Sequence, residues 1–311
     1  MVTASGVRIA WTDLPDRVRA AVAEVLGGPV VEARSQTGGF SPGSADRVRT
    51  AAGARAFVKA VSAAQNPMAP PTHRREIEVT RGLPPTASAP ALLGSYDDGE
   101  WVALVLADVE GQQPATPWQG DEVAAVLAVL ARLASGGVPT TIPDLKPLAV
   151  DMADDLRGWR HLSADPPAGL DPWAASRLEP LSDLAEQGLL ALTADALVHA
   201  DTRADNLLID SAGRVTLVDW PWACLGPVWL DSLALLVNVN FYGGLDVEAL
   251  LSANPLLAAT PAADVTGFLA GLTGFFLNEA RKPTPAGLPT LRAFQQAEGD
   301  ATLSWLKRRL G

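Results

Sequence analysis

The chain has 311 residues, of which 48% are hydrophobic and 19% are charged, and its formal net charge at pH 7 is −11. This composition is typical of a soluble globular protein, long enough for two modest domains or lobes, and it argues against long disordered tracts. The acidic charge makes nucleic acid a poor partner, no apolar run is long enough to cross a membrane, and the lone Cys224 excludes an internal disulfide.

The first hundred residues carry the pattern of short strands separated by turns. Met1 to Leu14 lack the charged start and apolar stretch of a signal peptide, which together with the lone cysteine favours a cytoplasmic location. A helix is expected after the proline-rich loop, with Thr72 as its N-cap and Arg81 near its end. The β-rich runs predict five strands: Val30–Arg34, Ala45–Thr50, Arg55–Val61, Ala91–Tyr96 and Trp101–Val109.

The pattern becomes helical after a connector that begins at Asp108 and ends at Pro114. Asp121 is the expected N-cap of an alanine- and leucine-rich helix that runs to Leu133. The further predicted helices are Leu148–Leu162, Trp173–Leu192, Asp231–Val239, Asp246–Leu251, Val265–Asn278 and Leu291–Leu310. A β insert with a turn at Asp210–Arg214 interrupts them between Asn206 and Val218. This layout predicts an α+β chain with a small β-rich lobe (1–106), a hinge (107–115) and a larger helical lobe (116–311).

One short segment and its β insert carry the residue types needed for phosphoryl transfer. That reaction needs an aspartate to orient the attacking hydroxyl and oxygen ligands for magnesium. Asp201 is therefore the candidate catalytic base, and Asn206 and Asp219 are candidate magnesium ligands. An isolated D-x-x-x-x-N is usually a capped turn. The hairpin that leads from Asn206 to Asp219 favours the functional interpretation.

Three further residues in this part of the chain have weaker indications of a role in the site. Arg203 is a candidate catalytic contact for the transferring phosphate, although a surface arginine is an equally good interpretation. His199 has no second histidine or cysteine in this segment, so we interpret it as a structural residue that holds the loop by hydrogen bonds. Asp231 is similarly interpreted as a helix cap or a brace for the loop.

The third predicted strand contains an unusual lysine. The chain has four lysines and twenty arginines, and Lys59 lies between Phe57 and Val61 in an apolar run. A compact ammonium at this point is suited to the α- and β-phosphates of a nucleotide, with Glu76 as its carboxylate partner and Glu78 as the second choice. A lysine that extends its ammonium into water is the alternative.

A glycine-rich turn precedes this lysine, from Gly38 to Gly43. Gly39, Phe40 and Ser41 are candidate cofactor-binding residues, because glycine allows the backbone to approach phosphates closely. The turn is neither a P-loop nor a G-x-G-x-x-G motif, so an ordinary hairpin loop remains the alternative.

The catalytic segment resembles that of the aminoglycoside phosphotransferase and choline kinase-like family, which shares the bilobal protein-kinase fold. The family's catalytic loop, H-x-D-x-x-x-x-N, is matched by His199, Asp201 and Asn206. Its metal-binding aspartate is matched by Asp219, which is followed by Trp220. The family often has glycine where this chain has Ala200. No D-F-G triplet and no A-P-E motif are present, which argues against a protein substrate.

The N-terminal half resembles the same family more loosely. Lys59 and Glu76 match the family's strand lysine and helix glutamate, and Leu106–Gly111 matches its hinge. The resemblance therefore implies that Asp108 and Val109 contribute to cofactor binding. The similar region runs from about Val30 to the final helix.

The resemblance implies an ATP- and Mg²⁺-dependent enzyme that moves the γ-phosphate to a hydroxyl of a small molecule. An antibiotic acceptor, which is aminoglycoside-like, a nucleoside or a macrolide, is favoured over a metabolic acceptor such as choline, homoserine or a sugar. A nucleotide-binding pseudokinase is a further alternative. The acidic net charge favours a cationic acceptor, although solubility alone also explains it. The candidate acceptor-facing residues are Trp118, Trp159, Trp173, Asp154 and Asp155.

Overall fold

A computed structural model of the chain describes residues 6–311. The first five residues of the predicted β-rich lobe, and of the stretch expected to lack a signal peptide, lie outside the described residues.

A five-stranded antiparallel sheet forms the N-terminal lobe, with the strand order β1-β2-β3-β5-β4. Its strands are β1 (Val30–Ser35), β2 (Ser44–Thr50), β3 (Arg55–Ser62), β4 (Leu92–Asp97) and β5 (Trp101–Ala107). All five predicted strands are confirmed, although β5 ends at Ala107 and not at Val109. Strand β5 is buried on both faces, and its register places Leu104 opposite Lys59 of β3.

Two helices cover the faces of this sheet. Helix α1 (Asp16–Val25) packs Val18 and Val22 against Ala103 on one face, and helix α2 (Ala69–Gly82) packs Ile77 against Leu104 on the other. Helix α1 was not among the predicted elements. The prediction that Thr72 caps α2 is wrong, because prolines are tolerated in a first helical turn and the helix already begins at Ala69.

The helical lobe consists of ten further α-helices in the described residues. They are α3 (Gly120–Ala134), α4 (Leu148–Asp151), α5 (Gly158–Ala164), α6 (Pro172–Ala175), α7 (Leu178–Ala191), α8 (Leu230–Tyr242), α9 (Val247–Ala253), α10 (Pro255–Ala258), α11 (Ala262–Ala280) and α12 (Leu291–Leu310). The predicted α+β class, with a small β-rich lobe and a larger helical lobe, is confirmed. The boundaries at residues 106 and 115 stay a prediction.

Three helix predictions need correction. Asp121 lies in the first turn of α3, whose N-cap is Gln119. The predicted helix Leu148–Leu162 is divided into α4 and α5, joined through a 3₁₀ turn. The predicted helix Trp173–Leu192 is divided into α6 and α7, because Pro180 lacks the N–H that a continuous helix needs and fits only the first turn of a new one.

Four short strands position the residues of the β insert. The antiparallel pairs are β6 (Ala196–Val198) with β9 (Cys224–Gly226), and β7 (Leu207–Ile209) with β8 (Val215–Leu217). The carboxylate of Asp210 accepts hydrogen bonds from the backbone N–H groups of Ala212 and Arg214, which closes the predicted hairpin turn. The backbone N–H of Val218 donates to the carbonyl of Asn206 at 3.0 Å. The hairpin therefore returns the chain to Asn206 immediately before Asp219.

The main hydrophobic core lies in the helical lobe and contains the fully buried side chains of Trp118, Trp159, Trp220 and Trp305. Within residues 6–311, no helix combines the length and the apolar character needed to cross a membrane.

Candidate active site

The segment between β6 and β7 is held in a tight turn by buried polar groups. Ala200 has a φ of 63°, in the left-handed region. The Asp231 carboxylate, 4% exposed at the start of α8, accepts hydrogen bonds from the backbone N–H groups of His199 and Ala200 at 2.8 and 2.9 Å. Asp231 is therefore the brace that the sequence indicated.

His199 is the second support of this segment. The backbone N–H of Asp201 donates to Nδ1 of His199 at 3.3 Å, so the proton of the neutral ring lies on Nε2. Nε2 donates to the carbonyl of Val218 at 3.0 Å. The ring also packs edge-on against Trp220, with its centroid 4.5 Å away. His199 is thus confirmed as a structural residue that joins the two ends of the β insert.

Asp201 and Asn206 are in direct contact. The amide Nδ2 of Asn206 donates to Oδ2 of Asp201 at 2.8 Å and to the Asp201 carbonyl at 2.9 Å. This arrangement fixes the carboxylate and leaves the amide oxygen of Asn206 outside the pair. Burial raises the pKa of Asp201, and the nearby Arg203 guanidinium only partly offsets this effect.

A three-residue ion cluster joins the two lobes. The Lys59 ammonium, 8% exposed on β3, donates to both carboxylate oxygens of Glu76 at 2.8 and 2.9 Å, and to Oδ1 of Asp219 at 2.8 Å. Burial disfavours the charged lysine, but the carboxylates of Asp219 and Glu76 outweigh burial and raise the pKa of Lys59. Glu78 is exposed and pairs with Arg75, so Glu76 and not Glu78 is the partner.

Asp219 has one carboxylate oxygen paired with Lys59 and a second oxygen outside that pair. Its φ of 67° is uncommon for a residue other than glycine and turns the chain sharply after Val218. Burial would raise the pKa of Asp219, but Lys59 outweighs burial and lowers it, which keeps the carboxylate ionised. Oδ1 accepts from Lys59, so Oδ2 remains outside this ion pair.

The candidate magnesium ligands must be judged together with a nucleotide. No cluster of three or more His, Cys, Asp or Glu side chains suited to a metal ion occurs in the part of the chain that the structure describes. Magnesium at a nucleotide site usually takes only one or two protein oxygens, and phosphates and water complete its shell. The amide oxygen of Asn206 and Oδ2 of Asp219 fit this requirement.

The glycine-rich turn is open at its start and anchored at Phe40. Gly38 and Gly39 have φ values of 96° and 71°, which favour glycine over any other residue. The Phe40 ring packs edge-on against Phe294 of α12, with a centroid distance of 5.0 Å. Ser41 directs its carbonyl toward the guanidinium of Arg8, a residue that was not among the predicted site residues. The turn therefore reaches from the sheet to the helical lobe.

The candidate hinge residues lie at the end of β5. Both oxygens of Asp108 accept hydrogen bonds from Arg47, at 2.7 and 2.9 Å, and Arg55 also pairs with this carboxylate. The Asp108 side chain is therefore already engaged, and only its backbone is free for a ligand. Val109 and Asp108 line a groove of about 810 Å³ that also contacts α3 and the Asp210–Val215 turn.

Arg203 lies among carboxylates and aromatic rings. It forms a two-bond pair with Asp205 at 3.0 and 2.8 Å, and its Nη1 is 3.7 Å from Oδ1 of Asp201. Its guanidinium carbon lies 5.4 Å from the centre of the Phe40 ring. Burial disfavours the charged guanidinium, but Asp201, Asp205 and Glu298 outweigh burial and raise the pKa of Arg203.

Glu298 is a buried acid that no sequence motif indicated. It lies on α12, is 4% exposed, and forms no hydrogen bond or ion pair with its side chain among residues 6–311. Burial raises its pKa to about 8, which the nearby charge of Arg203 only partly opposes. A cation beside this buried acid would favour its ionised form and could pair with it.

Replacement of Glu298 by glutamine should remove a pH dependence of stability. The pKa of this acid is about 8 in the folded protein and lower when unfolded, so folding stability falls as pH rises between these values. The variant should lack this fall. The unfolding free energy of the variant minus that of the wild type should therefore grow by about 1.4 kcal/mol for each pH unit between the two pKa values. Urea unfolding from about pH 5 to pH 8 measures it.

Asp300→Asn on the same helix is the matched control, because Asp300 is exposed and its side chain bonds only to Gln296 within residues 6–311. Parallel stability curves for Glu298→Gln and the wild type would contradict the assignment.

Two of the candidate acceptor-facing tryptophans belong to the core. Trp118 and Trp159 are 1% and 0% exposed. Their indole N–H groups donate to Asn238 and to the carbonyl of Ala270. They therefore cannot contact an acceptor, and that prediction is wrong for both. Trp173 is partly exposed and contacts the cations of Arg177 and Lys307.

Asp154 and Asp155 lie near the start of α5. Asp154 is exposed and pairs with His161 at 3.4 Å. Asp155 is also exposed, and partial desolvation, to which the nearby charge of Glu279 adds, raises its pKa. Neither acid forms a described contact with the catalytic segment.

The fold and the site together define a class of protein. A β-rich lobe supplies a lysine–glutamate pair, and a helical lobe supplies an aspartate, an asparagine and a second aspartate, as in kinase-like phosphotransferases. The chain matches the phosphotransferase enzyme family (APH) over residues 40–260. It belongs to this family and is a small-molecule phosphotransferase.

Several solved structures share this fold. The chain is 18% identical to an aminoglycoside phosphotransferase from Alicyclobacillus acidocaldarius subsp. acidocaldarius DSM 446, with a TM-score of 0.53 and coverage of 96% of this chain and 97% of that one. It is 15% identical to a thermostable mutant of aminoglycoside phosphotransferase APH(4)-Ia in ternary complex with ADP and hygromycin B, with a TM-score of 0.60 and coverage of 92% of this chain and 98% of that one. It is 16% identical to a choline/ethanolamine kinase family protein from Mesorhizobium loti, with a TM-score of 0.59 and coverage of 94% of each chain. No curated protein matches the chain.

Proposed function

We propose that this phosphotransferase uses ATP and Mg²⁺ to phosphorylate a hydroxyl of a small molecule that carries an amine. The observation that carries the proposal is the contact between Lys59 and Asp219, 2.8 Å apart. It joins the strand lysine of one lobe to the carboxylate that follows the Asp201–Asn206 pair of the other. The groups that the proposed phosphoryl transfer would use thus lie close together, which supports an active enzyme over a pseudokinase.

The proposed reaction is a direct transfer. The acceptor oxygen attacks the γ-phosphorus, the bond from that phosphorus to the β–γ bridging oxygen breaks, and ADP leaves. Asp201 orients the hydroxyl and accepts its proton. Asn206 and Asp219 would hold Mg²⁺, which supplies positive charge to the phosphate oxygens.

The remaining site residues have supporting roles in this proposal. The backbone of Asp108 and Val109 would bind the base of the nucleotide, and the Gly39–Ser41 turn and Lys59 would bind its phosphates. Arg203 has its Nε and Nη2 committed to Asp205, so it would reach the transferring phosphate through Nη1.

The acceptor is inferred from the charges that surround Asp201. Asp205 is committed to Arg203, whereas the buried acid Glu298 has no ion-pair partner in the described residues, and an amine beside it would favour its ionised form. The burial of Trp118 and Trp159 removes two of the three candidate members of an aromatic wall. An aminoglycoside-like antibiotic or an amino alcohol therefore fits better than a nucleoside or a macrolide, and antibiotic inactivation in the cytoplasm follows as the leading role.

Substitution of Asp219 by asparagine tests the magnesium site. The melting temperature of the wild type should rise with ATP, and rise further when Mg²⁺ is added, because Asn206 and Asp219 would hold the metal and so stabilise the nucleotide complex. The variant should lose the magnesium-dependent part of this shift. The exposed Asp195, just before β6, provides the matched control Asp195→Asn. A shift in the wild type that does not depend on magnesium would contradict the proposal.

A further inference from the structure

The N-terminal segment lies directly on the glycine-rich turn. The backbone N–H of Gly43 donates to the carbonyl of Val7 at 3.1 Å, and the N–H of Ile9 donates to the carbonyl of Gly43 at 3.2 Å. These two bonds involve the residues on either side of Arg8 and therefore fix the position of its backbone.

The guanidinium of Arg8 lies under this turn and is only partly satisfied. Nη1 donates to the carbonyl of Ser41, and Nη2 donates to the carbonyl of Gly38 at 2.6 Å. Its Nε is buried and has no hydrogen-bond partner in the described part of the chain. Residues 6–311 also place no carboxylate within ion-pair distance of this group. A cation withdrawn from water is normally paired with an anion, and this part-buried guanidinium has none among the described residues.

The surroundings of Arg8 identify where that anion would sit. The glycine-rich turn leads directly into strand β2, whose register places Ala45 opposite Lys59 of β3. The guanidinium therefore lies in the space beside the glycine-rich turn, at the start of the strand that pairs with the one carrying Lys59. This is the space in which the proposed function places the nucleotide phosphates.

Lys59 alone cannot bind these phosphates without a rearrangement. An ammonium has three N–H donors, and those of Lys59 are directed at two oxygens of Glu76 and one of Asp219. A guanidinium has five donors, of which Arg8 uses two on neutral carbonyls. Arg8 thus has donors still free for an anion, and guanidinium–phosphate pairs are strong.

We propose that Arg8 is a second phosphate-binding cation of the nucleotide site, which contacts the di- or triphosphate of the bound nucleotide. This inference rests on the proposed function. It concerns a residue outside the 40–260 region that matches the family.

Calorimetric titration of the full chain with Mg²⁺-ADP, Mg²⁺-ATP and adenosine tests this inference. Because a hydrogen bond to a charged group is lost, Arg8→Gln should bind ADP and ATP about 10- to 100-fold more weakly than the wild type. Its affinity for adenosine, which has no phosphate, should be unchanged. Arg8→Lys keeps the charge without the planar fork and should give an intermediate loss.

Arg34→Gln is the matched control, because Arg34 is exposed on β1 and pairs only with Glu32 in the described residues. Equal losses for adenosine and ADP would reveal general damage to the lobe and overturn the inference, as would unchanged ADP affinity in Arg8→Gln. Failure of the wild type to bind Mg²⁺-ATP would instead overturn the proposed function itself.

Discussion

Replacement of Asp201 by asparagine should lower kcat by about 10²- to 10⁴-fold, the usual contribution of a positioned acid or base. The amide cannot accept the acceptor's proton, and it disturbs the bond in which Asn206 donates to Oδ2 at 2.8 Å. Nucleotide affinity should stay close to that of the wild type, because Lys59 and Asp219 are untouched. Release of ADP in the presence of an acceptor measures the rate, and calorimetry measures the affinity.

The pH profile separates this role from a structural one. Asp201 must be ionised to accept a proton, so activity falls as pH drops through its folded-state pKa. Burial raises the pKa of Asp201, which places this acid limb above the range of an ordinary aspartate. The limb should disappear in Asp201→Asn. Turnover equal to that of the Asp195→Asn control would contradict the assignment of Asp201 as the base.

Replacement of Lys59 by methionine should destabilise the protein and abolish binding of Mg²⁺-ATP. It leaves the carboxylate of Glu76, which is 2% exposed, without its cation. Removal of one partner from a buried ion pair typically costs about 3–5 kcal/mol of unfolding free energy. Urea unfolding measures the stability, and calorimetry measures nucleotide binding.

A double variant distinguishes the two effects. Lys59→Met/Glu76→Gln also removes the charge of Glu76, the more deeply buried of the two carboxylates that Lys59 pairs with, so it should recover most of the stability and still fail to bind ATP. Full ATP binding in the double variant would show that Lys59 has no role in the nucleotide site. A single variant as stable as the wild type would contradict the buried ion pair.

The site residues that the sequence predicted to lie together are held together by short-range features of the chain. Asp201 and Asn206 share one turn, and a hairpin whose ends meet brings Asp219 to them. The pair Lys59 and Glu76 follows from a strand and the next helix. Such relations appear as spacing and periodicity, which a single sequence displays.

The residues that were missed depend on packing between distant elements. Glu298 lies near Arg203 only because α12 returns to the catalytic segment, where its Phe294 ring packs against Arg203. Asn238 of α8 accepts hydrogen bonds from Trp118 and from the Ala204 backbone. Arg8 precedes the sheet and has no spacing relation to the glycine-rich turn. The burial of Trp118 and Trp159 likewise follows from helix packing, which composition does not reveal.

The most direct test of the proposed function is to follow the terminal phosphate itself. The wild type would be incubated with Mg²⁺, with ATP carrying ¹⁸O in its γ-phosphate, and with a panel of hydroxylated antibiotics and amino alcohols, and the acceptors would be examined by mass spectrometry. We predict that an amine-bearing acceptor gains one labelled phosphate, and that Asp201→Asn produces almost none. Transfer of AMP, or an absence of labelled product across the panel in the presence of magnesium-dependent ATP binding, would contradict the proposed reaction.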